Sequence, residues 1–163
     1  MEAKIIANLD GLKELTRKYP EASQQARKGR ITQALLLLER AVKLFTPVGA
    51  GPIHLRDTIF PKVQISGVAV SGILGSPAKY GEAVEMGTNP HFPPVKPIQH
   101  WVERKLGIVG KDSKSVAFLI ARAISKRGTK GAEMFEKGFD ENEAEVIRIL
   151  EAIPMDIVKQ VNA

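Results

Sequence analysis

The chain of 163 residues contains no cysteine, so neither a disulfide framework nor a thiolate zinc site is open to it. That absence suits a reducing compartment. No apolar run approaches the roughly 20 residues that a membrane span needs. The longest, Ala34 to Leu38, is closed by Glu39 and Arg40. At the start, Met1 to Ala7 has only a short apolar run and Asp10, Lys13 and Glu14 follow at once, so a signal peptide is not expected. No internal repeat or low-complexity tract is present, and there is one tryptophan, Trp101.

The usual chemical motifs are also missing. His54, His91 and His100 are the only histidines, and none form the i, i+4 pair of a helical zinc site. His54 near Asp57 imitates an acid–base pair, but no serine sits in a nucleophile elbow. The glycines of Thr46 to Pro52 follow a helical segment and lack the lysine and hydroxyl of a phosphate loop, so they read as a connector. Glu82 and Glu85 are three apart and would share a helix face. Such a pair can do acid–base work, but two exposed surface glutamates is the simpler expectation. No catalytic residue, metal site or cofactor is expected.

What is present is an ordinary globular composition, 44% hydrophobic, with a net charge of +6. Residues 1–52 carry nine basic and five acidic groups, residues 53–110 six and four, and residues 111–163 nine and nine. The excess is thus spread along the first two thirds, with no basic arm. It permits contact with DNA phosphates without demanding it.

Periodicity predicts an α+β chain, with a long N-terminal helix and C-terminal helices packed on a small antiparallel β-hairpin sheet, as a single domain over 1–163. A short helix is expected from Ile5 to Lys18, through Leu9, Leu12 and Leu15. Tyr19-Pro20 interrupts it, and proline suits the first turn of a new helix. That second helix should run to Phe45, with Ile31, Ala34, Leu35, Leu38, Ala41, Val42 and Phe45 as one apolar stripe and Gly29 as a point of bend. A hairpin follows from His54 to Ile65 and from Val68 to Gly75, turning at Ser66-Gly67, with Pro61 marking an edge or a bulge. Such a hairpin must pack on the long helix or extend a neighbour's sheet.

Further on, Ala78 to Met86 is a short helix or strand stopped by Gly87, and a loop with four prolines between 90 and 97 leads to a helix from Ile98 to Leu106. Gly110 to Ser113 reads as a connector. A helix over Ser115 to Ser125 should bury Val116, Leu119, Ile120, Ala123 and Ile124. Arg127 to Gly131 is a turn, and a final helix should span Ala132 to Ala152, with Pro154 ending or kinking it. Its acidic face, Glu133 to Glu145, could meet Arg27, Lys28 and Arg30 of a neighbouring copy, head to tail. Trp101 would pin the proline loop to the core, or else serve as an interface hot spot.

Taken in order, several segments resemble one family. Pro47-Val48, Gly51, Leu55-Arg56 and Ile59 look like an entry into the hairpin. Tyr80, Val84, Glu85, Gly87 and Thr88 look like a tyrosine followed by Val-Glu-x-Gly-Thr. The proline loop then leads into Ile98, Trp101 and Gly107. Last come Ile120, Ala121, Ile124, Arg127-Gly128-Thr129, Gly131 and Phe135, a second Gly-Thr turn with a following phenylalanine. Over roughly residues 25 to 150 this order resembles the neck or minor tail-component family of long-tailed phages, also called head–tail connector or tail-completion proteins. The family has a polar pair such as Asp-Thr where this chain has Gly49-Ala50, so no role of that pair carries over.

The resemblance implies a structural virion protein of siphovirus type at the head–tail joint, present in the host cytoplasm during assembly. It implies a homo-oligomeric ring, with a hexamer expected. The ring would join portal and head-completion proteins to a tail terminator or tail tube, and double-stranded DNA would pass without sequence readout. Pro47, Leu55, Arg56, Phe92 and Trp101 are then the candidate inter-subunit or docking residues. Gly87, Thr88, Gly128 and Thr129 shape loops, because glycine accepts positive φ and threonine caps turns. Two other readings compete: a small basic DNA-binding module without catalysis, and a small hydrolase using Glu82, Glu85 or a histidine.

Overall fold

The computed structural model describes residues 2–6, 13–49, 54–67 and 69–162. In chain order its elements are β1 (Glu2–Ile6), α1 (Lys13–Lys18), α2 (Pro20–Phe45), one 3-10 turn (Leu55–Thr58), β2 (Phe60–Ser66) and β3 (Ala69–Gly75). There follow α3 (Gly81–Met86), β4 (Gly87–Thr88), α4 (Val95–Leu106), α5 (Gly110–Arg127) and β5 (Thr129–Lys130). The chain ends with α6 (Met134–Asp140), α7 (Glu143–Glu151) and α8 (Ile153–Val161). Among the described residues no helix is long and apolar enough to cross a membrane. Leu9, Leu12, Ala50, Gly51, Pro52 and Val68, used in the sequence reading, lie outside the described residues.

The protein is α+β. Its contacts gather it into two compact units, each made of separate stretches of chain. The first comprises Met1–Phe45, Ile59–Ser76 and Met134–Ala163; the second comprises Thr46–Thr58 and Pro77–Glu133.

The first unit is built around α2, which runs unbroken over the 26 residues expected of it. Gly29 does not break it. That position is exposed, and a Cβ there would touch nothing within 4 Å. The predicted stripe is the core: Ile31, Ala34, Leu35, Leu38, Ala41 and Val42 are all buried. A three-stranded antiparallel sheet, ordered β1-β3-β2, packs on α2. In β3, Val70, Gly72 and Leu74 alternate inward. A Cβ at Gly72 would come within 2.7 Å of Ile31 and 2.8 Å of Leu35, so glycine there lets strand and helix close up. Pro61 lies on β2, an edge strand, opposite Leu74. An edge tolerates the N–H that proline lacks.

Two further expectations fail in this unit. No helix begins at Ile5, because Glu2–Ile6 is a strand paired with β3, Ile5 opposite Gly72. The helix described before Pro20 is Lys13–Lys18, which contains Leu15, while Ile5 and Ile6 go to the strand that β3 pairs with. The last helix is also not continuous. It breaks at Glu141-Asn142 and at Ala152 into α6, α7 and α8. Asn142 Nδ2 donates to the Gly138 carbonyl at 3.0 Å, a local bond that competes with helix continuation. Pro154 opens α8 in its first turn, where no N–H is needed, instead of ending a helix. All three helices pack along α2. Gly138 lies so close to Val42 that a Cβ would sit 2.7 Å from its Cγ2.

Polar contacts tie the N-terminal half of α2. Arg27 Nη2 donates to Thr16 Oγ1 at 2.6 Å, and Thr16 Oγ1 lies 3.1 Å from Ser23 Oγ. This buried pair fixes the α1–α2 corner at Tyr19-Pro20. Arg30 grips Asp156 on α8 with two bonds, of 2.5 and 3.0 Å. The Arg30 hydrogen bond holds the Asp156 carboxyl below its ordinary value, against the smaller opposing effect of burial.

Candidate docking interface

The second unit brings together most of the residues that the resemblance selects. Its centre is a two-stranded antiparallel ladder in which β4 pairs with β5, Gly87 opposite Lys130 and Thr88 opposite Thr129. The two Gly-Thr turns, far apart in sequence, are thus halves of one structure. The Thr88 and Thr129 hydroxyl oxygens lie 2.9 Å apart. The chain past the ladder continues the pairing: Ala132 N donates to Val84 O at 2.8 Å and Glu133 N to Glu85 O at 3.1 Å.

Glycine is required here on two counts. Gly87 has φ +79° and Gly128 φ +72°, a region costly for other residues. A Cβ on Gly87 would also overlap the Thr129 carbonyl, and one on Gly128 the Thr88 carbonyl. Gly131 is held in the same way against the Glu85 carbonyl. Strain and overlap together leave no room for alanine. The loop-shaping role expected of these residues therefore acquires a partner: each turn shapes the other.

Helices α4 and α5 pack on each other through small groups. Gly107, with φ +68°, closes α4 in the left-handed conformation. Ser113 Oγ lies 2.8 Å from both the Gly110 carbonyl and Glu103 Oε1, and accepts from Gln99 Nε2 at 3.1 Å. Gln99 Nε2 also donates to Glu103 Oε1 at 2.9 Å, and the hydrogen bonds from Ser113 and from Gln99, in that order, hold the Glu103 carboxyl below its ordinary value. Gly110 to Ser113 is accordingly the first turn of α5 and not a connector. Helix α4 likewise starts at Val95, before the expected Ile98.

The face of α5 that is buried differs from the expected one. Ser113, Ala117 and Ala121 are inside, while Leu119 is 60% exposed and Phe118 49% exposed. Small side chains let α4 approach closely, which leaves the larger apolar ones outward. Phe92, from the proline loop, meets Phe118 with ring centroids 6.1 Å apart. Trp101 is 39% exposed, so it is not a buried anchor; its neighbour Val102 fills the core.

The other site residues divide. Pro47 is exposed. Leu55 is only 4% exposed and lies against Gly81, so it is a core residue and offers no docking surface. Arg56 Nη2 donates to the Thr46 carbonyl at 3.2 Å. Glu85 is buried and Glu82 exposed, so the two do not form an exposed pair. His91 Nδ1 lies 2.9 Å from the accepting Asn89 carbonyl. Among the described residues no three histidine, aspartate or glutamate side chains gather as metal ligands.

Charge is uneven between the units. The second carries eleven basic and six acidic side chains, a net +5, and the first thirteen and twelve, a net +1. Spacing along the chain hid this, because acidic α6 and α7 offset basic α5 in the same third of the sequence. Near the C-terminal end of α5, Ile120, Ala123, Ile124, Arg127, Gly128, Thr129 and Lys130 line a depression of about 610 Å³. The residues that sequence reasoning missed are Phe118, Ser113 and Gln99. The recurrence of Ser113, Ala117 and Ala121 every four residues was the available signal. Comparison with family models, with curated proteins and with solved structures finds no match.

Proposed function

We propose that the chain is a structural, non-catalytic subunit of the head–tail connector of a long-tailed phage. In this reading copies assemble into a ring, with a hexamer expected. The ring joins portal and head-completion proteins to the tail terminator or tail tube, and double-stranded DNA passes through. The observation that carries the reading is the β4–β5 ladder. Two motifs chosen from the ordered resemblance, Gly87-Thr88 and Gly128-Thr129, turn out to depend on each other sterically. The exposed aromatic side chains of Phe92, Trp101 and Phe118 in the same unit add support, since aromatic anchors suit docking surfaces.

The test is genetic and visual. The gene is inactivated in the phage that carries it, and the lysate is imaged by negative-stain electron microscopy. Separate heads and tails are expected, restored to joined virions when the gene is supplied in trans. Normal joined virions without the gene would overturn the reading.

The net charge of the second unit favours one alternative, a basic module that binds duplex DNA without catalysis. It requires salt-sensitive DNA binding by the purified chain, with log affinity falling linearly in log salt.

A further inference from the structure

Helix α5 presents a face that nothing in its own unit covers. Leu119, Arg122, Ala123, Lys126 and Arg127 line a shallow groove of about 410 Å³. Arg122, Lys126 and Arg127 are exposed, and among the described residues of their unit none of them forms an ion pair. Leu119 supplies apolar surface at the same place. The stretch 110–130 carries six basic side chains and one acidic.

A surface of opposite sign lies on α6 and α7 of the first unit. Asp140, Glu141, Glu143 and Glu151 are exposed there, and Ile147, 48% exposed, stands one turn from Glu143 and one turn from Glu151. The stretch 140–151 carries five acidic side chains and one basic, and that one, Arg148, already binds Glu145 at 2.7 Å. Leu119 to Lys126 spans about 10 Å of helix and Glu143 to Glu151 about 12 Å, at 1.5 Å per residue. The two faces match in length, carry opposite charge, and each holds an exposed apolar residue. The cations of α2 are poorer partners, because Arg30 is committed to Asp156.

We infer that the α5 groove receives the acidic α7 face of a second copy of this chain. The contact is heterologous: residues of α5 in one copy meet residues of α7 in the next. Such contacts repeat, and they close into a ring when the rotation allows. This deepens the connector reading and rests on it for closure into a ring. A duplex-DNA phosphate backbone would use the same cations, but it gives no role to Leu119, Phe118 or Ile147.

The test uses the full-length chain in sedimentation velocity over a concentration series. Three variants are compared with the unmodified protein: Arg122→Glu with Lys126→Glu, Glu143→Lys with Glu151→Lys, and all four together. Circular dichroism checks that each is folded. The unmodified chain should self-associate, and each two-site variant should associate at least tenfold more weakly. Mixing the two should restore association at a one-to-one ratio, and the four-site variant should self-associate alone. The inference is overturned by a chain that stays monomeric throughout, by two-site variants that associate as before, or by a mixture that stays monomeric. A four-site variant that regains stability without associating would also overturn it, since the faces would then pair within one copy. So would a groove variant that loses duplex-DNA binding while its association is unchanged. A monomeric chain leaves the connector reading to be decided by the gene-inactivation experiment. Joined virions without the gene would remove that reading and leave the contact standing.

Discussion

The two units hold themselves together by different means. The first buries large side chains: Ile31, Leu35, Leu38, Leu74, Met134 and Ile153 are all almost fully inaccessible. The second has few such residues, chiefly Val102 and Leu55, and relies on close backbone approach at Gly87, Gly128 and Gly131 and on a Ser113–Glu103–Gln99 network. Its larger apolar groups, Phe92, Trp101, Phe118 and Leu119, stay partly in water. A region that fills its core with large side chains gains stability from burial. A region that leaves them outside keeps that gain for contact with something else. The difference teaches where to seek stability and where to seek assembly.

The contrast can be broken at several points. Truncation of Leu35 to alanine should cost about 3–4 kcal/mol, the range for a fully buried leucine in a packed core. Denaturant unfolding of the variant checks this. A cost near 1 kcal/mol would mean the first unit is loosely packed. Gly128→Ala should cost about 3 kcal/mol, from positive φ together with overlap on Thr88. Hydrogen exchange should show the loss of protection concentrated over 84–88 and 128–133, with the α2 amides little affected. Uniform loss would erase the distinction between the units.

The Arg30–Asp156 pair sharpens the first unit alone and sets a pH dependence. The folded-state pKa of Asp156 lies below its ordinary value of 3.8, so its stabilisation is present above that value. It is lost as pH falls through the depressed folded pKa. Asp156→Asn should therefore cost about 1 kcal/mol at pH 6 and progressively less below pH about 4, read from unfolding midpoints across pH. A cost unchanged at pH about 2 would mean the charge is not involved. Trp101→Ala should cost only about 1 kcal/mol of stability, where a fully buried tryptophan would cost about 3–5. Its larger effect should be on virion joining, scored by electron microscopy of the lysate. The smallest effect is at Gly29, where alanine should stabilise by about 0.5–1 kcal/mol because the helix is unbroken and the site open. Destabilisation there would point to a bend after all.

Strong, long-range periodicity was legible. The ends of α2, its buried stripe and the edge placement of Pro61 all follow from side-chain patterns that local physics enforces. The hairpin turn was legible, Gly67 adopting φ +57°, but the first strand begins at Phe60 and not at His54, because Leu55–Thr58 forms a 3-10 turn. What was not legible depended on partners distant in sequence. Strand β1 exists because β3 offers it an edge. The buried face of α5 is set by how closely α4 approaches, which selects Ala117 and Ala121 over Leu119. Both Gly-Thr turns were picked out and given a loop-shaping role, yet nothing in either segment says that the other is its partner. The charge difference between the units was hidden for the same reason, because units interleaved in sequence average their charges away.

The most direct measurement is hydrogen exchange by mass spectrometry on the chain alone and on the chain within joined particles. New protection should concentrate over residues 92–127, the aromatic and basic surface of the second unit, and over 140–151, the acidic face inferred to meet it in a second copy. The α2 core should be unchanged, being already closed. Unchanged exchange over 92–127, with new protection confined to the edge strand Phe60–Ser66, would contradict the division between a self-sufficient core and a surface built for assembly.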